Sequence, residues 1–423
     1  MAIAAVGLVA FMPRVLVRAH QLIGGLLHHT ALPVTSFNGW PYFPTIVLPL
    51  VAAALVTFHA SARTRMLTLL GSSLALGWGF GYLDYWSIVP FAALTLCAYG
   101  IVKLPISRAI AATLIVVVAI VSLVVTQRWM SGAAFALVAT FQTALIPSLW
   151  YSVYQEDGRR RRLPFHRFAV YLYARFFAAP VLTYTDLFAA APEGRLDDIR
   201  TTGIRTLYIA ALASIVQACA AAIVKSNPLH AATGARLLGL SYIAYVGSYL
   251  AIMVQFNLVI GVMRVFGIPV RDNFGAWLLA RTPNEHWQRW NILFREWVIT
   301  FVFFPIMRAR RWLFAAVLAS LMTSWLLHVT PTLVETGFDL FVLARTGAYW
   351  VVNALAIYAV IKAPSAFPRA FAMLRVRDNL AWSAVGVVLT SSFHAVLYGM
   401  NTSNSWVEVG HYFARLGHLG FWS

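Results

Sequence analysis

The sequence predicts an all-α, polytopic membrane protein, and three observations predict it. Apolar runs long enough to cross a bilayer recur along nearly the whole chain, charged residues are scarce, and the basic residues collect in the short intervals between runs. Of 423 residues, 61% are hydrophobic and 11% charged, and the mean hydropathy is +0.74. Soluble domains carry about 25% charged residues. The net charge of +18 would suit nucleic acid if the cations shared one surface. Scattered between apolar runs, they read as positive-inside topology, and nucleic acid is excluded as a partner. Cys97 and Cys219 lie inside apolar runs without zinc or redox spacing, which argues against a disulfide framework.

The elements follow in order. The first twenty residues, with arginines after the apolar start, read as an amphipathic or half-inserted helix that stays on the protein. A crossing needs roughly 20 apolar residues, and about ten segments qualify. They are Pro44–Ala60, Met66–Tyr82, Ile88–Val102, Ala109–Gln127, Ala133–Val153, Ile204–Val224, Leu237–Met263, Trp312–Thr330, Leu340–Ile361 and Ala381–Tyr398. Basic groups at Arg159–Arg167, Arg308–Arg311 and Lys362–Asp378 are expected on the cytoplasmic side. Parity then forces two half-crossings. Val170–Phe188 lies between two inside loops, and Val298–Met307 is too short to span, so each is expected to be re-entrant. Such backbone survives at membrane depth only beside protein or a water-filled cavity. Without repeats or long linkers, residues 1–423 are expected to form a single membrane domain, with N-terminal helices over 1–165 and a core over 166–423.

One polar knot interrupts this pattern, LARTPNEHWQRWNILFREW at Leu279–Trp297. Thr282, Pro283 and Glu285 form a helix start: an N-cap, a proline at the first position and an acid closing a capping box. Helical spacing puts Trp287, Trp290, Asn291 and Phe294 on one face and pairs Glu285 with Arg289 on another. An interfacial helix with tryptophans in the headgroup belt accounts for much of this. It accounts less well for Asn291, because an amide on an aromatic face needs a partner. The alternative makes Asn291 a hydrogen-bond donor into a cavity. His328 closes an otherwise apolar span, and His394 lies inside another. An intramembrane histidine is a functional candidate, although either one would also serve to bridge two helices. Neither has Cys, Asp or Glu at metal-ligand spacing, so no metal is expected, and there is no phosphate loop or nucleophile elbow.

The run Tyr249–Trp297 resembles the membrane-bound O-acyltransferase (MBOAT) family, and looks closest to its bacterial branch of alginate O-acetyltransferases and D-alanyl transfer proteins. The likeness is carried by Gly261, Phe266, Gly267, Asn273, Phe274, Leu279–Pro283, Trp287, Arg289, Trp290 and Asn291. It continues through FVFFPIMRARRWLFAAVLASLMTSWLLH, which ends on His328 at the family's histidine. ARFFAAPVLTYTDL and SSFHAVLYGMNTSNSWVEVGHYFARL resemble further family segments. Departures from the pattern are Leu327 and Val329 around the histidine, Ala179, Thr183, Gln255, Asn257 and Ala348.

The resemblance implies an MBOAT-like bundle with two re-entrant segments around a central tunnel. It also implies transfer of an acyl group, acetyl at the simplest, to a hydroxyl. His328 would be the general base and Asn291 the donor to the carbonyl oxygen. No bound cofactor is implied. An acyl thioester, on coenzyme A or an acyl carrier protein, would be the co-substrate, entering from the cytoplasm, with Arg289, Trp290, Arg295 and Arg308 as its binding residues. The acceptor would be a glycan, lipid or protein hydroxyl, the further partners the bilayer and an extracytoplasmic protein, and the location a bacterial inner membrane. Counting at 1.5 Å per residue from each helix start puts Asn291 about 12 Å and His328 about 24 Å up, so the two meet only with strong tilt or a recessed basic loop. A transporter or flippase for a lipid or glycan intermediate is the alternative, since it too uses broken helices.

Overall fold

Backbone amides inside a bilayer find no water, which leaves helices as the economical way to satisfy them. The computed structural model describes residues 43–79, 85–128, 146–150, 164–173, 194–369 and 380–417, and every regular element among them is helical. In chain order the α-helices are α1 Phe43–Val56, α2 Ala62–Gly79, α3 Tyr85–Lys103, α4 Arg108–Gln127, α5 Phe165–Tyr173, α6 Leu196–Ser226, α7 Gly234–Val265, α8 Pro283–Arg289, α9 Ile292–Val298, α10 Phe304–Arg310, α11 Leu313–Thr336, α12 Leu340–Ala366, α13 Leu380–Asn401 and α14 Trp406–Gly417. Among the described residues six stretches are long and apolar enough to cross a bilayer: Arg108–Gln127, Leu196–Ser226, Gly234–Val265, Leu313–Val334, Leu340–Ala366 and Leu380–Asn401. The protein is therefore an integral, multi-pass membrane protein. Six of the ten expected spans coincide with these. Three more fall on α1, α2 and α3, and Ala133–Val153 lies largely outside the described residues, as do the first expected re-entrant segment and the N-terminal helix.

The chain divides into two compact units, residues 1–214 with 253–271, and 215–252 with 272–423. Helices α6 and α7 each contribute to both.

In the first unit, α6 and α7 cross at glycines. A Cβ on Gly203 would lie 2.9 Å from the Gly261 carbonyl oxygen, and one on Gly261 2.7 Å from Leu207 Cγ, so only glycine permits this approach. Arg264, buried nearby, donates to the Val270 carbonyl at 2.8 Å and to Thr206 Oγ1 at 2.8 Å. Helix α7 stops at Gly267, whose φ is 87°. Gly267 N–H bonds the Arg264 carbonyl at 2.8 Å and Ile268 N–H the Met263 carbonyl at 2.9 Å, the two bonds of a Schellman motif. The Phe266-Gly267 phrase is thus a helix stop.

In the second unit, α11 and α12 form an antiparallel hairpin turning at Gly337, where φ is 84°. Asp339 caps α12, its Oδ1 accepting from Phe341 N–H at 2.8 Å and Val342 N–H at 3.2 Å. Along the hairpin Trp325 Nε1–H donates to Thr346 Oγ1 at 2.9 Å, and Phe314 meets Tyr358 edge-on at 5.3 Å. Helix α14 packs on α13, and the buried Tyr412 hydroxyl lies 3.0 Å from Ser241 Oγ.

Candidate functional site

The polar knot lies wholly within the second unit. Thr282 caps α8 with extended backbone (φ −145°), and its side chain accepts from Glu285 N–H at 3.1 Å, with Pro283 at the first position. The box closes one residue earlier than expected: Glu285 Oε2 accepts from Arg281 N–H at 2.6 Å. Glu285 Oε1 takes the Arg289 guanidinium, one turn on.

Helix α8 then breaks. Trp290 is extended (φ −103°, ψ 130°) and Asn291 is left-handed (φ 45°, ψ 56°), so Asn291 is not a mid-helix residue sharing a face with Trp287, as helical spacing predicts. Asparagine is among the few non-glycine residues that tolerate this conformation. Restarting a helix leaves its first N–H groups without intrahelical partners, and Asn273 supplies them. Its carbonyl accepts from Ile292 N–H at 2.8 Å and its Oδ1 from Leu293 N–H at 2.9 Å. Asn273 is fully buried.

This arrangement orients the next amide. A backbone N–H can only donate, so the Asn273 atom facing Leu293 is its oxygen and its other terminal atom is Nδ2. Nδ2 donates at 3.0 Å to Asn291, whose facing atom must therefore be Oδ1. Asn291 is left with its Nδ2 amide hydrogens, and it lines a cavity of about 640 Å³.

His328 lines the same cavity. Its Nδ1 lies 2.6 Å from the Ser324 carbonyl, one turn back along α11. A carbonyl only accepts, so Nδ1 carries a proton, and when the ring is neutral its lone pair is at Nε2. The ring is held between Phe294 at 6.4 Å and Trp350 at 5.4 Å. The expected mismatch of heights narrows to about three residues, roughly 5 Å, when the reference is the basic turn and not the start of α8: Asn291 lies twenty residues before Arg311 and His328 seventeen after it. Phe294 lies seventeen residues before Arg311, as far as His328 lies after it. The chain thus descends and returns by the same distance, roughly 25 Å at 1.5 Å per residue. Arg311 makes that turn with φ 54°. On the descending limb Pro305 lacks the N–H that an α-helix requires, and the chain absorbs the loss as a π-turn over Ile299–Phe303.

The cavity runs beside α11 from Val317 to Thr332, roughly 22 Å. Toward the basic turn its lining is mostly apolar, with Ile299, Phe303, Val317, Ile357 and Ile361 beside Ser320. Past His328 it becomes polar, with Thr332, Arg345, Thr346, Tyr398 and Asn401. Near the break, Tyr249 and Tyr349 join hydroxyls at 2.9 Å, and Trp287 Nε1–H donates to the buried Asn353 at 3.3 Å.

The remaining expected site residues separate. Trp290 and Arg295 line the cavity, and Arg295 Nε is buried without a hydrogen-bond partner. Arg289 does not reach it: its guanidinium donates to the Ala276 carbonyl at 2.9 Å and the Leu279 carbonyl at 3.0 Å, besides holding Glu285. Arg308 is exposed on α10 over the Phe304 ring at 6.0 Å, outside the lining. His394 lies behind the cavity against His286. Sequence reasoning passed over Arg345 and Asn353, although a charge and an amide inside the apolar α12 are the signals it looks for. The orienting part played by Asn273 has no local signal.

No protein-family model matches the chain. Over 58 residues it is 36% identical to diacylglycerol O-acyltransferase 1-1 of Oryza sativa subsp. japonica, a stretch equal to 14% of this chain and 11% of that protein. The likeness is thus to a short part of a diacylglycerol O-acyltransferase.

Proposed function

We propose that the protein is a membrane-embedded O-acyltransferase, moving an acyl group, acetyl at the simplest, from a cytoplasmic thioester to a hydroxyl of an extracytoplasmic or membrane-associated glycan or lipid. The observation that carries this reading is that a free imidazole lone pair on His328 and an oriented amide donor on Asn291 line one cavity. The acceptor hydroxyl oxygen attacks the thioester carbonyl carbon while His328 Nε2 takes its proton. Asn291 Nδ2–H donates to the oxyanion as the tetrahedral intermediate forms. Collapse breaks the C–S bond, and the imidazolium returns its proton to the departing sulfur, leaving an ester and a free thiol. His328 Nδ1 keeps its bond to the Ser324 carbonyl throughout, which holds the ring in place and limits its reorganisation.

The apolar arm toward the basic turn suits the donor's chain, and the polar arm past His328 suits a hydroxylated acceptor. Arg295, facing the cavity with an unpartnered Nε, is the best placed of the expected cations to meet an anionic part of the donor. The short likeness to an acyltransferase of diacylglycerol supports the reaction class and an acyl-CoA donor. The acceptor is assigned by the cavity's polarity alone.

The test is to incubate membranes carrying the protein with labelled acetyl-CoA and longer acyl-CoAs and follow label into base-labile esters. Label should appear with wild type and be lost with His328→Ala. Ester formation by that variant at the wild-type rate, or none by wild type with any donor, overturns the assignment, and movement of a lipid or glycan without ester formation favours a transporter.

A further inference from the structure

His286 in α8 and His394 in α13 are 108 positions apart and line no part of the cavity, yet they form an enclosed pair of titratable groups in the second unit. They are 1% and 0% exposed. Their ring centroids are 4.1 Å apart and the planes are inclined by 35°. His286 Nδ1 holds the Trp277 backbone, whereas His286 Nε2 and both nitrogens of His394 are buried with no hydrogen-bond partner. Aromatic rings form the walls. Tyr245 stacks on His394 at 5.8 Å, Trp277 stands edge-on to His286 at 5.8 Å, and Trp290 lies parallel to His286 at 6.3 Å.

Among the described residues no carboxylate touches the pair. Helix α7 brings Tyr245 and Tyr249, and the Trp277–Leu279 turn brings no ionisable group. On α8 and just before it, Glu285 is occupied by Arg281 and Arg289. On α13 the other titratable side chain is Tyr398, bonded to Ser248. A charge on either ring would therefore lie in an apolar enclosure without a counter-charge, against a second imidazole, an arrangement that strongly disfavours it. Burial pushes the His286 imidazole down to about 4.

Trp290 links the pair to the site. It is packed on Tyr249 at 4.4 Å, Phe274 at 4.7 Å, Trp277 at 5.2 Å and His286 at 6.3 Å, and the next residue is the left-handed Asn291. We propose that His286 and His394 are positioning residues for acyl transfer: as a neutral pair in ring contact they seat Trp290 and thereby hold the helix break at Asn291, and protonation of either ring releases it. This rests on the reading of Asn291 as the oxyanion donor. What the pair supplies is two flat, uncharged rings, so phenylalanine should replace the imidazole of His394 where alanine cannot.

Backbone hydrogen exchange of the peptide spanning 285–297, which contains the Ile292 and Leu293 amides held by Asn273, reads the break directly. On acidification from pH 7 to pH 4.5, wild-type protection should fall by about tenfold or more beyond the intrinsic pH effect. The double variant His286→Phe/His394→Phe, with neither ring left to protonate, should keep it, and His394→Phe and His286→Phe, each retaining one titratable ring, should lose less than wild type. In transfer assays His394→Ala should lower kcat more than the donor KM, with His394→Phe restoring most of the loss. Protection lost as much in the double phenylalanine variant, or in both single variants, as in wild type, or not lost in wild type, overturns the proposal, as does a His394→Phe protein as impaired as His394→Ala. The exchange arm is repeated on His328→Ala protein. Release on acidification there supports the pair whatever the protein's activity, whereas absence of transfer by wild type with that release intact counts against the enzyme reading alone.

Discussion

Asn273→Asp is nearly isosteric and leaves the chain path intact, yet it should reverse the amide that faces the cavity. In the native protein Asn273 Oδ1 accepts from Leu293 N–H at 2.9 Å and its Nδ2 donates to Asn291 Oδ1 at 3.0 Å. An aspartate at 273 keeps the first bond and presents a second acceptor where the donor stood. Asn291 then turns its Nδ2 to that carboxylate, which has two N–H donors to hold it ionised, and shows its carbonyl oxygen to the cavity. A developing oxyanion would meet an acceptor instead of a donor. Loss of one such donor costs about 2.7–4 kcal/mol, a factor of roughly 10² to 10³ in kcat. The assay is steady-state acyl transfer with kcat and KM separated, beside thermal unfolding by gel filtration to show the variant is folded. Asn291→Asp, whose side chain can accept from Asn273 but cannot donate to the cavity, should lose a similar factor. The double variant should lose little more, because both changes remove one interaction. A folded Asn273→Asp protein with wild-type kcat would refute the relay, and a fully active Asn291→Asp would refute the donor role itself.

Three other outcomes are expected. His328→Gln, which keeps a polar side chain but has no basic nitrogen, should lower transfer by about 10²- to 10⁴-fold with donor binding retained, read as kcat against KM. Gly267→Ala should lower thermal stability by about 1–2 kcal/mol or more, since φ is 87° and a Cβ would lie 2.6 Å from Leu196 Cδ1; an unchanged unfolding temperature would count against the helix stop. Because burial lowers His286 to about 4 from 6.5, the unfolded chain takes up the proton first on acidification. The His286 contribution to stability should therefore fall by about 3 kcal/mol as pH drops from 6.5 to 4 and level off below, and His286→Phe should remove that component of a pH series of unfolding curves.

The parts of the site legible in the sequence are those where local chemistry and geometry agree. Thr282-Pro283 starts a helix because a hydroxyl cap and a fixed φ suit the first turn, and Glu285 meets Arg289 because one helical turn separates them. His328 stands out because an imidazole in an apolar helix needs a reason. The break at Asn291 was hidden because apolar spacing at 3.6 residues continues across it. The one local hint was an asparagine, a residue at ease with positive φ, and its meaning depends on Asn273, eighteen positions earlier. The relative height of Asn291 and His328 was misjudged because rise was counted from the start of α8, whereas α8 and α9 are separated by the break. Counted outward from Arg311, Asn291 and His328 differ by three residues, roughly 5 Å. The His286–His394 pair joins helices far apart in the chain, and periodicity carries no information about such a pairing.

Two unrelated structural demands fix the polarity of the two proposed catalytic groups. A helix restarted in the middle of a protein must find acceptors for its first N–H groups, and by accepting from Leu293 Asn273 becomes a donor to Asn291, leaving a donor toward the cavity. A histidine on a helix finds the carbonyl one turn back, and by donating to Ser324 His328 becomes an acceptor at Nε2. Each orientation is thus set by a backbone group, not by a further ionisable side chain, and neither depends on a carboxylate that would have to be buried and kept charged. A passage for lipid or glycan needs polar lining, but it has no requirement that one fixed donor and one fixed acceptor face the same space. Acyl transfer does, because it must stabilise a negative oxygen and remove a proton in the same step, and this pairing is the reason for preferring an enzyme over a transporter built from the same broken helices.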